Sequence, residues 1–401
     1  MTLPRIHFGR PQQLAALLLL VFFVQGLYRI AHAPLTETDY RYARCGREMW
    51  ERPSPLLGYF TSCGNMQGDG TFAYRAAGLP LSVQRWALLT VDHFRKPEDR
   101  LYPGDTLNGS TWESRHQLSY VNWLLRLPFL GFGLWLGGAL WWVARRLFGN
   151  EGGFFALGLY TFCPEILRAS TTPNNEILAA WGLFGLIYTS IGVAHAMQGP
   201  RHKWKPRILL LTLALGLTAT AHILAAIFGF LVSFVLMLYL GERRRGNVMQ
   251  AMVLAGAGAM AIVFAFFAFR IGPFSYVFTA GAARFWFSLQ GLSLFFGNWM
   301  ENAALEIALL VALVLWATVR RSRYFGNTVP LLVALLLLPL ASTGVRSEPW
   351  LWAVPFLLTF TGGVFADALE TKYRKLFLVL AGTVLLTQAL ISVVTLKLAL
   401  L

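Results

Sequence analysis

Charge is what this sequence most lacks. Only 13% of its 401 residues are Asp, Glu, Lys or Arg, while 56% are hydrophobic. A soluble chain of this length could not hide so much apolar surface, so an ordinary soluble domain is excluded. Acidic residues are scarcer than basic ones, 19 against 34, for a net charge of +15. That excess does not point to nucleic acid, because the basic residues cluster in short loops between apolar runs, where they set membrane topology. Three cysteines are too few for a disulfide framework. Cys45 and Cys63 share one long loop and either pair in an oxidising compartment or stay as thiols; Cys163 lies in an apolar run and reads as packing. No Walker motif, zinc spacing, nucleophile elbow or dinucleotide loop occurs. No internal repeat is visible either, which counts against a transporter. The first apolar run has no small-residue cleavage site and is long enough to span, so it reads as a signal anchor.

What is present is a series of apolar runs of membrane-spanning length. They fall at Leu14–Ile30, 123–144, Gly152–Leu167, Glu176–Met197, 208–240, a run from 246 to about Phe269, 303–319, 328–343, 350–367 and 376–398. Residues 208–240 are too long for one simple span and are broken by Thr218, Thr220 and His222, so they read as two short spans with a tight outer turn. The expected fold is an all-α polytopic membrane protein of about eleven transmembrane helices, a single domain over 1–401. The amino terminus falls inside and the carboxyl terminus outside. About 17 Lys and Arg then lie in inner loops against about four at the short outer ones.

The long polar segment 34–118 follows the first span directly and forms the first extracytoplasmic loop. Within it, Leu81–Phe94 reads as an amphipathic helix lying on the bilayer. A large polar loop there suits an enzyme acting on a lipid-borne substrate at the outer face. Such chemistry needs a carboxylate to take a proton, cationic or hydroxyl groups for a departing phosphate, and an apolar groove for the lipid. Glu37 and Asp39 sit just past the first span, and Glu176 opens a later one after Asn174-Asn175. Ordinary interfacial charge and helix capping explain these positions equally well. His222 lies at an outer turn. Arg168, Arg270, Arg284 and Arg346 form the outer arginine set, suited to phosphate or to snorkelling. The aromatic-rich stretch Phe274–Trp299 packs into the interface or walls a groove.

Several stretches carry a resemblance. Thr38-Asp39-Tyr40-Arg41-Tyr42-Ala43, then Arg47-Glu48-Met49, resembles a first-loop pattern Asp-Glu-x-x-Tyr-Ala followed by Arg-Glu-Met. Arg126-Leu127-Pro128, Ala144-Arg145-Arg146-Leu147-Phe148-Gly149, Phe162-Cys163-Pro164, Glu176-Ile177-Leu178, Gly216-Leu217 with His222, and Glu348-Pro349 extend it. The chain is similar to the GT-C class of membrane glycosyltransferases, in the branch of aminoarabinose transferases and protein mannosyltransferases. The resemblance implies transfer of a sugar from a polyprenyl-phosphate donor to a glycan, lipid or protein acceptor. It implies inverting chemistry at the outer face of a plasma membrane, by inference a bacterial inner membrane. Asp39, Glu37 and Glu176 become the catalytic candidates, and His222, Arg284, Arg346 and Tyr42 the substrate-binding ones. A divalent metal, Mg or Mn, is a candidate cofactor with no ligands assigned. Thr38 stands where the family has its catalytic Asp, and a hydroxyl is no comparable base. The role therefore passes to Asp39 or Glu37, or the chain is a silent partner in envelope assembly. A transporter or flippase of a lipid-linked sugar is the other alternative. On the enzyme reading, Asp39→Asn removes transfer and leaves expression intact.

Overall fold

A computed structural model describes residues 9–51, 70–94, 120–200, 204–267, 269, 285–288, 293, 296–297, 299–318, 324–342 and 349–398. The described chain is almost wholly helical. In order, the helices are α1 (Arg10–His32), α2 (Glu37–Glu51), α3 (Phe72–His93), α4 (Val121–Thr161), α5 (Pro164–Ser170), α6 (Glu176–Met197), α7 (Lys205–Ala221), α8 (Ile223–Leu240) and α9 (Arg245–Phe266). They continue as α10 (Trp299–Thr318), α11 (Tyr324–Leu337), α12 (Pro349–Leu369) and α13 (Arg374–Leu398). Among the described residues, eight helices are long and apolar enough to cross a membrane: α1, α4, α6, α8, α9, α10, α12 and α13. α7 and α11 are apolar but shorter, at 17 and 14 residues. The protein is thus a polytopic helical membrane protein.

The helices form where apolar length dictates and break where local chemistry demands. α4 is two arms joined at Gly149, whose φ of 88° and ψ of −178° suit only a residue without a Cβ. The sequence places the exit from the membrane at this point, after Arg145-Arg146. The run 208–240 is split at His222, which is extended (φ −152°, ψ 115°) between α7 and α8. The run 328–343 is shorter than expected as a helix. Pro339 can supply no amide hydrogen to continue the ladder, and Leu340–Ser342 (β2) pairs antiparallel with Phe285–Phe287 (β1) instead. This small ribbon departs from the all-helical expectation.

α12 is the axis of the bundle. Its spanning residues are 94% buried, against 17% for α13 on the rim. On the rim helix α1, Leu14, Leu17, Leu20 and Val24 are more than half exposed, while Ala15, Phe22, Gly26 and Ile30 face inward. That outward apolar stripe is what a lipid-facing helix presents.

Buried polar side chains tie the rim to the bundle. Gln388 of α13 donates to the Phe162 carbonyl at 3.1 Å and the Glu301 carbonyl at 3.0 Å, and accepts from the Leu305 amide at 3.3 Å. It thereby bridges one turn of α10 to the break between α4 and α5. Gln25 of α1 donates to the Thr161 carbonyl at 3.3 Å and accepts from Ser392 at 3.1 Å. Such amides bind helices together where lipid supplies no hydrophobic drive between them.

The described residues of the segment 34–118 are largely helical rather than loop. Within it α2 and α3 cross at Gly46 and Gly78, so closely that a Cβ on Gly78 would lie 2.1 Å from the Gly46 carbonyl carbon. The expected amphipathic stretch from Leu81 is the second half of α3, which starts nine residues earlier at Phe72. Leu81 is buried, whereas Val83, Trp86, Val91 and Phe94 are exposed.

Candidate active site at the α2–α3 end of the bundle

The first spanning helix ends in bare carbonyls, and α4 supplies their donors. Arg126 donates to the Ala33 carbonyl at 2.8 Å and the Pro34 carbonyl at 2.7 Å, and Asn122 donates to the Ile30 carbonyl. The Ile30 carbonyl is an orphan acceptor of the helix carboxyl end, and those of Ala33 and Pro34 lie just past it. The same Arg126 donates to Asp39 Oδ2 at 2.7 Å, with both side chains all but fully buried. Asp39 also closes a capping box on α2. Its Oδ2 accepts from the Thr36 amide at 2.8 Å and the Thr36 hydroxyl at 3.0 Å, and its own amide donates to Thr36 Oγ1 at 3.3 Å. Asp39 is therefore a structural strut as it stands. Glu37 and Thr38, in the same turn, are exposed.

A second buried charge network holds α3 on α2. Glu51 accepts from Arg47 at 3.0 and 3.2 Å, from Ser82 at 2.9 Å and from Arg85 at 2.7 Å. Its side chain is 1% exposed. Tyr42 is buried and stacks on Tyr74 of α3, with ring centroids 4.3 Å apart. α3 in turn is fastened to the bundle. Arg75 donates to the Phe266 carbonyl at the end of α9 at 3.0 and 3.3 Å, joined by the Thr71 hydroxyl at 3.2 Å. The Gly70 amide donates to the Ala221 carbonyl at 3.0 Å, and a Cβ on Gly70 would sit 1.6 Å from the Thr220 carbonyl oxygen. The start of α3 therefore lies directly against the break that carries His222.

Beside that break is a third cluster. Glu176, in the first turn of α6, accepts from the Trp352 indole at 2.6 Å. Trp352, fully buried near the start of α12, meets the His222 ring nearly edge-on, with centroids 4.8 Å apart. Glu176 and His222, far apart in sequence, are thus brought together by a tryptophan that the sequence reading did not single out. His222 is 1% exposed, and neither ring nitrogen has a hydrogen-bond partner among the described residues. The same holds for both side-chain polar atoms of Asn175, which is 3% exposed and adjoins Glu176. The amino-terminal cap of α6 is Asn174 instead, whose Oδ1 accepts from the Ile177 amide at 3.0 Å. Buried polar atoms without partners are costly and concentrate where a protein meets a ligand.

Burial alone lowers the His222 imidazole to about 4. The resemblance gives His222 the place of a phosphate-binding cation, but in this fold it is a neutral ring near pH 7. Of the outer arginines, Arg168 is paired with Glu301 at 2.7 Å. Arg270, Arg284, Arg346 and Cys63 lie outside the described residues, as does most of the aromatic stretch; Cys45 is buried in α2. Among the described residues no three His, Cys, Asp or Glu side chains converge to hold a metal. Arg126, Trp352 and Asn175 are the residues that sequence reasoning missed. An arginine or a tryptophan near a span end is no signal by itself.

No protein-family model and no curated protein matches the sequence. Solved structures do resemble it. ArnT from Cupriavidus metallidurans bound to undecaprenyl phosphate superposes with a TM-score of 0.57 at 16% identity, over 92% of this chain and 62% of that one. The same protein in the apo state gives 0.53 at 16% identity, over 91% and 60%. An oligosaccharyltransferase from Archaeoglobus fulgidus, in complex with Zn and sulfate, gives 0.50 at 10% identity, over 94% and 52%. The chain therefore has the GT-C-type fold of membrane glycosyltransferases, and it spans about six tenths of the length of the ArnT structures.

Two outcomes follow from the geometry. Asp39→Asn strands the buried Arg126 charge, so it should cost about 3–5 kcal/mol of stability. Thermal unfolding in detergent checks it, and an unchanged midpoint would mean that the pair carries no weight. The same measurement tests the expectation that the substitution spares expression. His222 titrates near 6.5 when unfolded and about 4 when folded. The stability gained by keeping it neutral is complete above about 6.5 and drains as pH falls toward 4. The wild-type midpoint should drop across that window more steeply than that of His222→Gln. Equal slopes would contradict the assignment.

Proposed function

We propose that the protein is a glycosyltransferase that moves a sugar from a polyprenyl-phosphate donor to an acceptor at the extracytoplasmic face of a membrane. The observation that carries the reading is the gathering of Glu176 and His222 around Trp352, with buried Asn175 next to Glu176 in the chain, beside the segment that ties down the carboxylate-bearing α2. The fold it shares with ArnT and the oligosaccharyltransferase supports the reaction class, and ArnT bound to undecaprenyl phosphate supports the donor class.

In the proposed reaction an acceptor hydroxyl attacks the anomeric carbon from the face opposite the phosphate. A carbon–oxygen bond forms, the bond to the phosphate oxygen breaks with its electron pair, and configuration inverts. The hydroxyl proton passes to a carboxylate. Glu37 is the exposed carboxylate of α2, while Asp39 is held by Arg126 and aims the helix. Glu176, fixed by the Trp352 indole, orients the acceptor. A neutral His222 and Asn175 offer hydrogen bonds to sugar or phosphate oxygens, and Tyr42, stacked on Tyr74, holds α2 against α3. Arg284 and Arg346 are the proposed cations for the leaving phosphate. The described residues gather no metal donor set, so no step is routed through one.

One observation favours a second reading. Asp39, one of the two carboxylates that flank the family's catalytic position at Thr38, is spent on a structural pair, as in a catalytically silent partner of envelope assembly. A panel of radiolabelled polyprenyl-phosphate sugars separates the two. Transfer by the wild type, reduced at least a hundredfold in Glu37→Gln and in Glu176→Gln with unchanged thermal midpoints, is the expected outcome; about two to four powers of ten are at stake in general acid–base catalysis. Donor binding without turnover would favour the silent partner. Full activity in both variants would remove these two carboxylates from the reaction.

A further inference from the structure

A band of aromatic rings runs from the candidate active site to the lipid-facing side of the bundle. It starts at Phe266, the last residue of α9, whose ring meets that of Phe72 edge-on at 5.6 Å. Phe72, the first residue of α3, meets Phe132 of α4 edge-on at 5.4 Å. Phe132 touches Trp181 of α6 at 5.3 Å, and Trp135 of α4 closes on Trp181 at 4.7 Å. Four helices thus contribute to one continuous apolar surface. At one end of it, Gly70, two residues before Phe72, donates to the Ala221 carbonyl at 3.0 Å, beside the break that carries His222. At the other end Trp135 is 60% exposed, and a ring so exposed on a spanning helix faces lipid. The band is flanked by open room. A Cβ added to Gly131, one turn from Trp135, or to Gly185, one turn from Trp181, would meet nothing within 4 Å. Gly185 is only partly exposed and the span of α6 is 67% buried, so its open side is a recess.

We infer that this band is the track along which the prenyl chain of the donor enters from the bilayer. Its first isoprene units lie on the aromatic faces and in the recess at Gly185, and the rest of the chain stays in lipid. The inference rests on the proposed donor class and gives that donor a path. A phosphate at the His222 break would sit beside His222 and Asn175, whose buried polar atoms have no hydrogen-bond partners among the described residues. A prenyl chain carries a methyl branch on every unit, and the two glycines leave width for branches that a straight acyl chain does not need. Ring faces carry negative partial charge and attract the C–H edges of those methyl groups.

The test compares binding of undecaprenyl phosphate and geranyl phosphate to the purified full chain in nanodiscs. Gly185 and Trp135 each lie nine residues along their helices from Glu176 and Arg126. That is a depth of about 13 Å, which a geranyl chain does not span. Gly185→Leu fills the recess without a clash, and Trp135→Ala removes a lipid-facing ring. Each should weaken undecaprenyl phosphate about tenfold, the size of one good aromatic contact, and leave geranyl phosphate within about twofold. Gly382→Leu, at an equally open position on α13, should change neither. Thermal midpoints monitor folding, and should Gly185→Leu fail to fold, Trp135→Ala decides alone. Equal losses for both phosphates, or undiminished undecaprenyl phosphate affinity in the variants, would overturn the track and leave the donor class standing. A wild type that binds neither phosphate would overturn the donor class itself, and the track with it. Should Gly185→Leu expel phosphatidylglycerol as strongly as undecaprenyl phosphate, the recess would be an ordinary bed for acyl chains, which also overturns the inference.

Discussion

A guanidinium buried at the head of a membrane-spanning helix must find acceptors, and Arg126 finds three at once. It takes the Ala33 and Pro34 carbonyls just past α1 and the carboxylate of Asp39, and so joins the end of the first span, the start of α2 and the start of α4. Removing two charges from water is expensive, so such a pair persists only with good geometry and further hydrogen bonds. Thr36 supplies those from the other side. The orientation of α2 follows from this contact. The crossing at Gly46 and Gly78 and the Glu51 network then fix α3, and α3 reaches the His222 break and the end of α9. Within what looks like a long loop, the described residues form a plate of two helices bolted to the bundle at several points.

The plate matters because of what lies beside it. Glu176, Asn175, His222 and Trp352 come from three separate helix ends, and two of the four leave polar atoms without hydrogen-bond partners among the described residues. A fold does not keep such atoms buried for stability's sake. The division of labour at α2 has the same logic. Asp39 spends its charge on architecture, which leaves the neighbouring Glu37 as the carboxylate presented outward.

Much of the fold was legible because apolar length and punctuation act locally. The bounds of α6 coincide with the apolar run Glu176–Met197, and the polar interruption at His222 does break the 208–240 stretch. Other features required knowledge of distant partners. Residues 37–51 read as loop because they are polar, yet Arg44–Glu48 and Arg47–Glu51 sit at helical i,i+4 spacing and give α2 away in retrospect. The β1–β2 ribbon pairs Phe285 with Ser342 and Phe287 with Leu340, segments distant in sequence, which no local pattern foretells. The acidic and histidine candidates were visible as exceptions in an apolar chain. Their partners Arg126 and Trp352 were not, because an arginine or a tryptophan near a span end is ordinary and only its contacts distinguish it.

The contact at Arg126 can be probed most directly by hydrogen–deuterium exchange on Arg126→Met in detergent. If this arginine anchors the plate, amides across 37–51 and 72–93 should lose protection while those of α12 keep theirs. A variant whose α2 and α3 amides exchange as slowly as those of the wild type would contradict the account, since the plate would then hold its place without the pair.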